Sequence, residues 1–245
     1  MMDPIGFLIK NNTIEKGERV MDKYSAVRQL TFGVSFNHMF KLLDSWGEIA
    51  DDILYNNKYF SAEYFPSISP QYTLERSLSN PKTGNQISLS AFNLVYTHNI
   101  YENYDQEYKE FRRRVENYIV PKILSSHGLV VRRLGVVYVS EVKSKEMKDF
   151  TSLYFNPAVQ GIGDFRFSKK ETTEGGLLLA DNQDYINKIY NVGSVGAETK
   201  ELSYDFQLHF VPIRQDVRDI ITRFMKMANE GFSKDILSHL HRESR

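Results

Sequence analysis

LVVRRLGVVYVSEV, residues 129–142, reads as a β-strand, and its alternation sets how the chain is layered. The density of β-branched residues favours a strand over a helix. Strict period two puts Leu129, Val131, Arg133, Gly135, Val137 and Val139 on one face and separates Arg132 from Arg133. All but Arg133 are apolar or glycine, so that face reads as the buried one, with a permanent charge inside it. A buried guanidinium needs a carboxylate or several carbonyls, because unpaired burial of a charge is costly. The downstream strand YDFQLHF (204–210) offers a partner: Asp205 interrupts it on the face opposite Tyr204, Phe206 and Leu208.

Upstream, VRQLTFGVSF (27–36) alternates in the same way, with Leu30, Phe32, Val34 and Phe36 on its apolar face. Asn37 then reads as the cap of a helix running to about Tyr55. QYTLERSL (71–78) and QISLSAFNLVYTH (86–98) read as a hairpin around NPKTGN. The apolar parity of the second strand changes near Ala91, which fits either a strand covered on both faces or a bulge. A helix from about Asp105 to Ser126 carries the stripe Tyr104, Tyr108, Phe111, Val115, Tyr118 and Ile119. Pro121 is expected to kink it or end its regular part, and His127-Gly128 to terminate it.

Downstream, 144–155 reads as a helix, and 163–171, 183–193 and 200–213 as strands. Residues 214–242 read as a long amphipathic helix with Gly231 as a weak point. Runs of strands closed by helices give an α+β fold with a largely antiparallel sheet and amphipathic helices packed on one face. The division is an N-terminal arm over 1–22, a first α+β unit over 23–142 and a second over 143–245 packed on the first. The two units are candidates for related structures.

The chain has 245 residues, long enough for one large core or two small ones. Its 31 basic and 31 acidic residues cancel, so global charge predicts no attraction to nucleic acid or to an anionic membrane. Cysteine is absent, which excludes disulfides, thiolate metal sites and thiol nucleophiles. With no apolar run long enough to span a bilayer and no signal-peptide pattern, the expected location is cytoplasmic.

The common phosphate, dinucleotide, hydrolase and zinc-protease motifs are missing. His98 and His209, both on strands, are the histidines able to meet in space, while His239 and His241 diverge on a helix. Glu171, Glu174, Asp181 and Asp184 lie in a loop-rich stretch without the spacing of a cation loop. No metal or other cofactor is expected. Arg112, Arg113 and Arg114 fan around their helix with Glu107, Glu110 and Glu116 nearby, the pattern of a salt-bridged surface. A nucleic-acid reading would use those three with Lys122 and Arg132. In the loop 56–70, Tyr59, Phe60, Tyr64 and Phe65 are either folded back on the core or exposed as anchors for a protein partner or a second copy.

The order of these elements resembles a sporadically distributed, uncharacterised family of prokaryotic proteins with a mid-chain Arg-Leu-Gly-x-x-Tyr strand. R-L-G-V-V-Y-V-S (133–140) and F-M-K-M-A-N-E-G-F-S-K-D-I-L (224–237) carry the resemblance, over about residues 23–241. It marks Arg133, Gly135, Tyr138 and Phe232, with Ser140 where the family usually has asparagine. It implies no activity, and its patchy distribution associates it with mobile or defence genes, including toxin–antitoxin-like systems.

The leading expectation is a non-catalytic binding or regulatory protein, with Arg133, Gly135, Tyr138 and Asp205 as candidate ligand-binding residues. The alternatives are a nucleotide- or phosphoryl-handling enzyme with an anion pocket at Arg133, and a nucleic-acid binder.

Overall fold

The computed structural model describes residues 27–56, 59–60, 64–66, 75–101, 103–143, 166–174, 184–194, 199–214 and 216–237. The N-terminal arm, the helix expected over 144–155, Asp181 and the end of the last helix lie outside the described residues.

The fold is α+β. Nine strands form one antiparallel sheet: β1 Val27–Phe36, β2 Phe65–Pro66, β3 Glu75–Ser79, β4 Gln86–Ser90, β5 Asn93–Asn99, β6 Val131–Lys143, β7 Arg166–Glu174, β8 Tyr185–Ser194 and β9 Thr199–Arg214. Their spatial order is β2-β3-β4-β5-β1-β6-β9-β8-β7. The sheet is thus centred on β1 and β6, where Gly33 faces Gly135, with β5 at the outer side of β1 and β9 at the outer side of β6.

The helices are α1 Phe40–Asp44, α2 Trp46–Asp51, α3 Tyr104–Arg114 and α4 Ile221–Phe232. The last three continue as wider π-type turns over Asp52–Asn56, Val115–Ser125 and Ser233–Leu237. Asn103 caps α3 by accepting from the Gln106 N–H at 3.1 Å. Pro121 sits inside the π-type part, and the regular α-helix has already ended at Arg114. Gly128 closes the helix at φ +63°. The first helix differs from expectation: Asn37 does not cap it, and it breaks at Ser45 into two short pieces starting after Met39. No helix among the described residues is long and apolar enough to cross a membrane.

One face of the sheet is the core. Leu30, Phe32 and Val34 of β1, Leu134, Val136 and Tyr138 of β6, and Tyr204, Phe206 and Leu208 of β9 are all buried beneath the helices. Helix α3 is tied to α4 by two tyrosines: Tyr104 donates to Asn229 Oδ1 at 2.7 Å and Tyr108 to the Met225 carbonyl at 2.9 Å. Tyr138 stacks on Phe232 with ring centroids 4.3 Å apart. Gly231 lets α4 approach β9 this closely, since a Cβ there would lie 2.6 Å from the Tyr204 hydroxyl.

The opposite face is a carpet of cross-strand polar pairs. Gln29 donates to Asn99 at 2.9 Å, Ser35 to Asn93 at 2.8 Å, Asn191 to Ser203 at 3.1 Å and Thr172 to Asn187 at 2.8 Å. Such pairs satisfy polar side chains against one another along the pleat.

Two irregularities correct the reading from sequence. The parity change at Ala91 is neither a bulge nor a doubly covered strand. It is a tight turn between two strands, β4 and β5, in which the Ser90 hydroxyl accepts from the Phe92 and Asn93 N–H groups at 3.4 and 3.0 Å. The second is in the arginine strand, where the register of β6 against both β1 and β9 shifts between Val131 and Arg133.

Candidate functional site

The shift at Arg132 explains the misplaced charge. A bulge adds a residue that opposes nothing on the partner strand, and it reverses parity beyond itself. Leu129 and Val131 therefore point to the core, and so do Leu134, Val136 and Tyr138, all buried. Arg133, Gly135, Val137 and Val139 lie on the polar face, where Arg133 is half-buried. Arg132 and Arg133, expected on opposite faces, line the same groove.

The groove encloses about 580 Å³ at the end of the polar face. Its floor is a single rung of directly opposed residues crossing five strands: Tyr185 on β8, His209 on β9, Arg133 on β6, Ser35 on β1 and Asn93 on β5. Arg133 Nη2 donates to Ser35 Oγ at 3.2 Å, and Ser35 passes its own proton to Asn93 Oδ1. On the far side, Asn187 Nδ2 and Gln207 Oε1 meet His209 Nε2 at 2.9 and 3.1 Å, while Gln207 Nε2 donates to Asp205 Oδ2 at 2.5 Å. Two polar networks thus flank the centre of the rung, one joining Arg133, Ser35 and Asn93 and the other joining Asn187, His209, Gln207 and Asp205.

Between Arg133 and Val131 the facing strand β9 moves from His209 to Arg214. The extra residues bow outward and form one wall of the groove with Phe210, Val211 and Ile213. Asp184, buried, holds this wall by accepting from the Val211 N–H at 2.9 Å. The opposite wall carries His38 and Phe92, whose rings meet edge to face at 5.7 Å.

The electrostatics are those of a cationic site. Arg132, Arg133, His38 and His209 line the groove, and no acidic residue does so among the described ones. Asp205 is near enough to feel Arg133, but no ion pair joins them; its carboxyl is pushed up by burial against the lowering by the Gln207 amide and Arg133. His209 is depressed to about 4 by burial, by Arg133 and by Lys170. The imidazole should therefore stay neutral through mildly acid conditions. In an NMR titration its ring proton shifts are expected to turn over near pH 4, and Arg133→Met should move that midpoint upward. A midpoint that Arg133→Met leaves unmoved would contradict the proximity of the two groups.

Of the four ligand-binding candidates, the structure places Arg133, Gly135 and Asp205 on the polar face and Tyr138 on the other, inside the core. Gly135 makes little special room, because a Cβ there would meet Asp205 and Gln207 at an ordinary 3.8 and 3.9 Å. His98 and His209 do not meet. His98 faces the helices, 2% exposed, in a closed network. Arg114 donates to the Tyr96 hydroxyl at 2.8 Å, Tyr96 to His98 Nδ1 at 3.0 Å, and His98 Nε2 to Glu107 at 2.7 Å. Burial and Arg114 lower the His98 imidazole against the pull of Glu107.

Three of the four loop aromatics are not exposed anchors. Phe60 and Tyr64 are buried, and Tyr59 packs against the core 6.1 Å from Tyr118. The side chain of Phe65 lies outside the described residues. The arginine run is consumed locally: Arg112 pairs with Glu116 at 2.7 Å, and Arg113 and Arg114 with Glu110 at 2.8 and 3.0 Å. Lys122 is exposed and Arg132 lines the groove, while the other three arginines are ion-paired along their helix.

Sequence reasoning missed Ser35, Asn93, Tyr185, Phe92 and the wall at 210–213. Only the strand pairing brings them beside Arg133, and no spacing along the chain signals it. No family model matches the chain, and no curated protein matches it.

Proposed function

We propose that the protein is a non-catalytic binding protein that holds an anionic ligand in the groove at Arg133. One observation carries this reading: the bulge at Arg132 turns two adjacent guanidinium groups into a groove lined by no carboxylate among the described residues. Arg133 uses only the Ser35 hydroxyl as a hydrogen-bond partner among those residues, which leaves most of its donors for a ligand. A planar guanidinium pairs with phosphate or carboxylate oxygens two at a time, and partial burial strengthens the attraction. The groove volume falls within the range of small-molecule sites.

The resemblance to the prokaryotic family with the Arg-Leu-Gly-x-x-Tyr strand fits the same proposal, since the arginine of that motif is the groove residue. NMR titration with inorganic phosphate tests it. Wild-type protein is expected to show saturable shifts at Arg133, Ser35 and His209 that weaken with added salt. Arg133→Met should cut the affinity at least about tenfold, the effect of losing one charge-assisted contact, while leaving the melting temperature nearly unchanged. Absence of phosphate shifts in the wild type, or equal binding by the variant, removes the proposal. Turnover of a phosphate ester that is lost in His209→Ala would replace it with the enzymatic alternative.

A further inference from the structure

The walls of the groove say more about the ligand than its charge does. Six large hydrophobic side chains are exposed among the described residues, and Phe92 at 46%, Val211 at 40% and Ile213 at 47% are three of them. They stand on opposite sides of the arginine floor. Phe92 is presented by the tight turn between β4 and β5, backed by the His38 ring. Val211 and Ile213 are presented by the bowed segment of β9. Solvent-exposed apolar side chains cost little singly, but a cluster facing a cationic floor marks a binding surface. The separation between the walls is set by the strands beneath them, at about 5 Å per strand. β5 and β9 lie three spacings apart, about 14 Å, too wide for one flat ring to touch both walls, so a ring that stacks on Phe92 leaves the aliphatic wall to another part of the ligand.

The polar residues of the same rung add edge recognition. Asn93 and Ser35 present amide and hydroxyl groups beside Arg133. On the other side the Tyr185 and His209 rings stack in parallel at 4.5 Å, closing the rung with a second ring surface. A ligand complementary to all of this carries a negative charge, a flat ring for Phe92, and donors and acceptors on the ring or its linker. A bare anion uses only the floor. A duplex needs a broad basic surface, which the paired arginines of α3 do not supply.

We infer that the groove takes a nucleoside phosphate, with the phosphate on Arg132 and Arg133 and the base stacked on Phe92. This rests on the anion-binding reading and narrows it to one ligand class. Stacking of a base on an aromatic side chain and its exclusion from water supply the added affinity.

The test is an NMR or calorimetric titration of the full chain with the four 5′-ribonucleoside monophosphates, with inorganic phosphate, with the corresponding nucleosides and with hexyl phosphate. At least one monophosphate is expected to bind about tenfold or more tightly than either phosphate or its nucleoside alone, the size of one base-stacking contribution. Phe92→Leu should remove that increment and leave inorganic phosphate binding unchanged, and Phe92→Tyr should restore it. Arg133→Met should weaken both phosphate and nucleotide. If phosphate binds but no monophosphate binds better, the nucleotide inference fails and the anion reading stands. If hexyl phosphate matches the best nucleotide, the groove takes any apolar group and the base is overturned. If neither phosphate nor any nucleotide binds, both readings fall.

Discussion

Phe232→Ala is expected to lower the unfolding free energy by about 3–5 kcal/mol, the range for emptying a fully buried aromatic site. The ring is completely buried at the end of α4. It lies parallel to Tyr138 at 4.3 Å and tilted against Tyr204 at 6.0 Å, so it packs on the two central tyrosines of β6 and β9 together. Aromatic contacts of this kind add to the burial of area. The cavity cannot close by moving the helix inward, because the Gly231 backbone already stands against the Tyr204 hydroxyl. Phe232→Leu, which keeps much of the volume, should cost clearly less. Urea unfolding followed by circular dichroism measures both. A loss below about 1 kcal/mol for the alanine variant, the size of an ordinary surface substitution, would show that the stack does not exist in solution.

That residue was visible in the sequence, and the reason it was visible shows what sequence can reveal here. Phe232 was marked by the motif F-M-K-M-A-N-E-G-F that carries the family resemblance, and it lies on the buried face of α4; local patterns of this kind survive into the structure. β1 was legible for the same reason: its alternation matches the observed strand Val27–Phe36 from end to end. The long helix before the arginine strand was placed to within one residue at each end.

The failures have a common physical origin in features that change parity without changing composition. Ala91-Phe92 turns the chain through a Ser90 side-chain hydrogen bond, with none of the glycine or asparagine that usually marks a two-residue turn. Arg132 bulges between two valine-rich stretches, and counting by twos across it put every later residue of β6 on the wrong face. The functional consequence was large. The same miscount turned an open-face arginine into a supposed core ion pair, and it hid the fact that two neighbouring arginines share one groove. Partners such as Asn93 and Tyr185 are 40 or more positions from Arg133 along the chain, roughly the length of a whole supersecondary unit, and only the strand order makes them neighbours.

Asp235→Ala is the second large effect, expected at about 2–3 kcal/mol, because hydrogen bonds to a charged acceptor are worth more than neutral ones and Asp235 gathers several of them. Asp235 lies in the π-type turn that ends α4. One oxygen of its carboxylate, Oδ2, receives Lys188 Nζ at 2.7 Å, the Tyr204 hydroxyl at 3.2 Å and the Tyr190 hydroxyl at 3.3 Å. The donors come from β8 and β9, and both tyrosines are buried, so the turn is clamped to the half of the sheet that carries His209. Lys188 and Asp235 are 26% and 14% exposed at their side chains, which puts the pair between a screened surface bridge and a dry one. Asp235→Asn keeps an acceptor oxygen for the tyrosines and gives up the charge, so its cost should be intermediate. Lys188→Met removes the cation and leaves the two hydroxyl bonds, and in the Asp235→Ala background it should cost less than it does alone. A double-mutant cycle on chemical unfolding reads this coupling directly. Additive losses would mean that lysine and carboxylate act separately and that the clamp is held by the tyrosines alone.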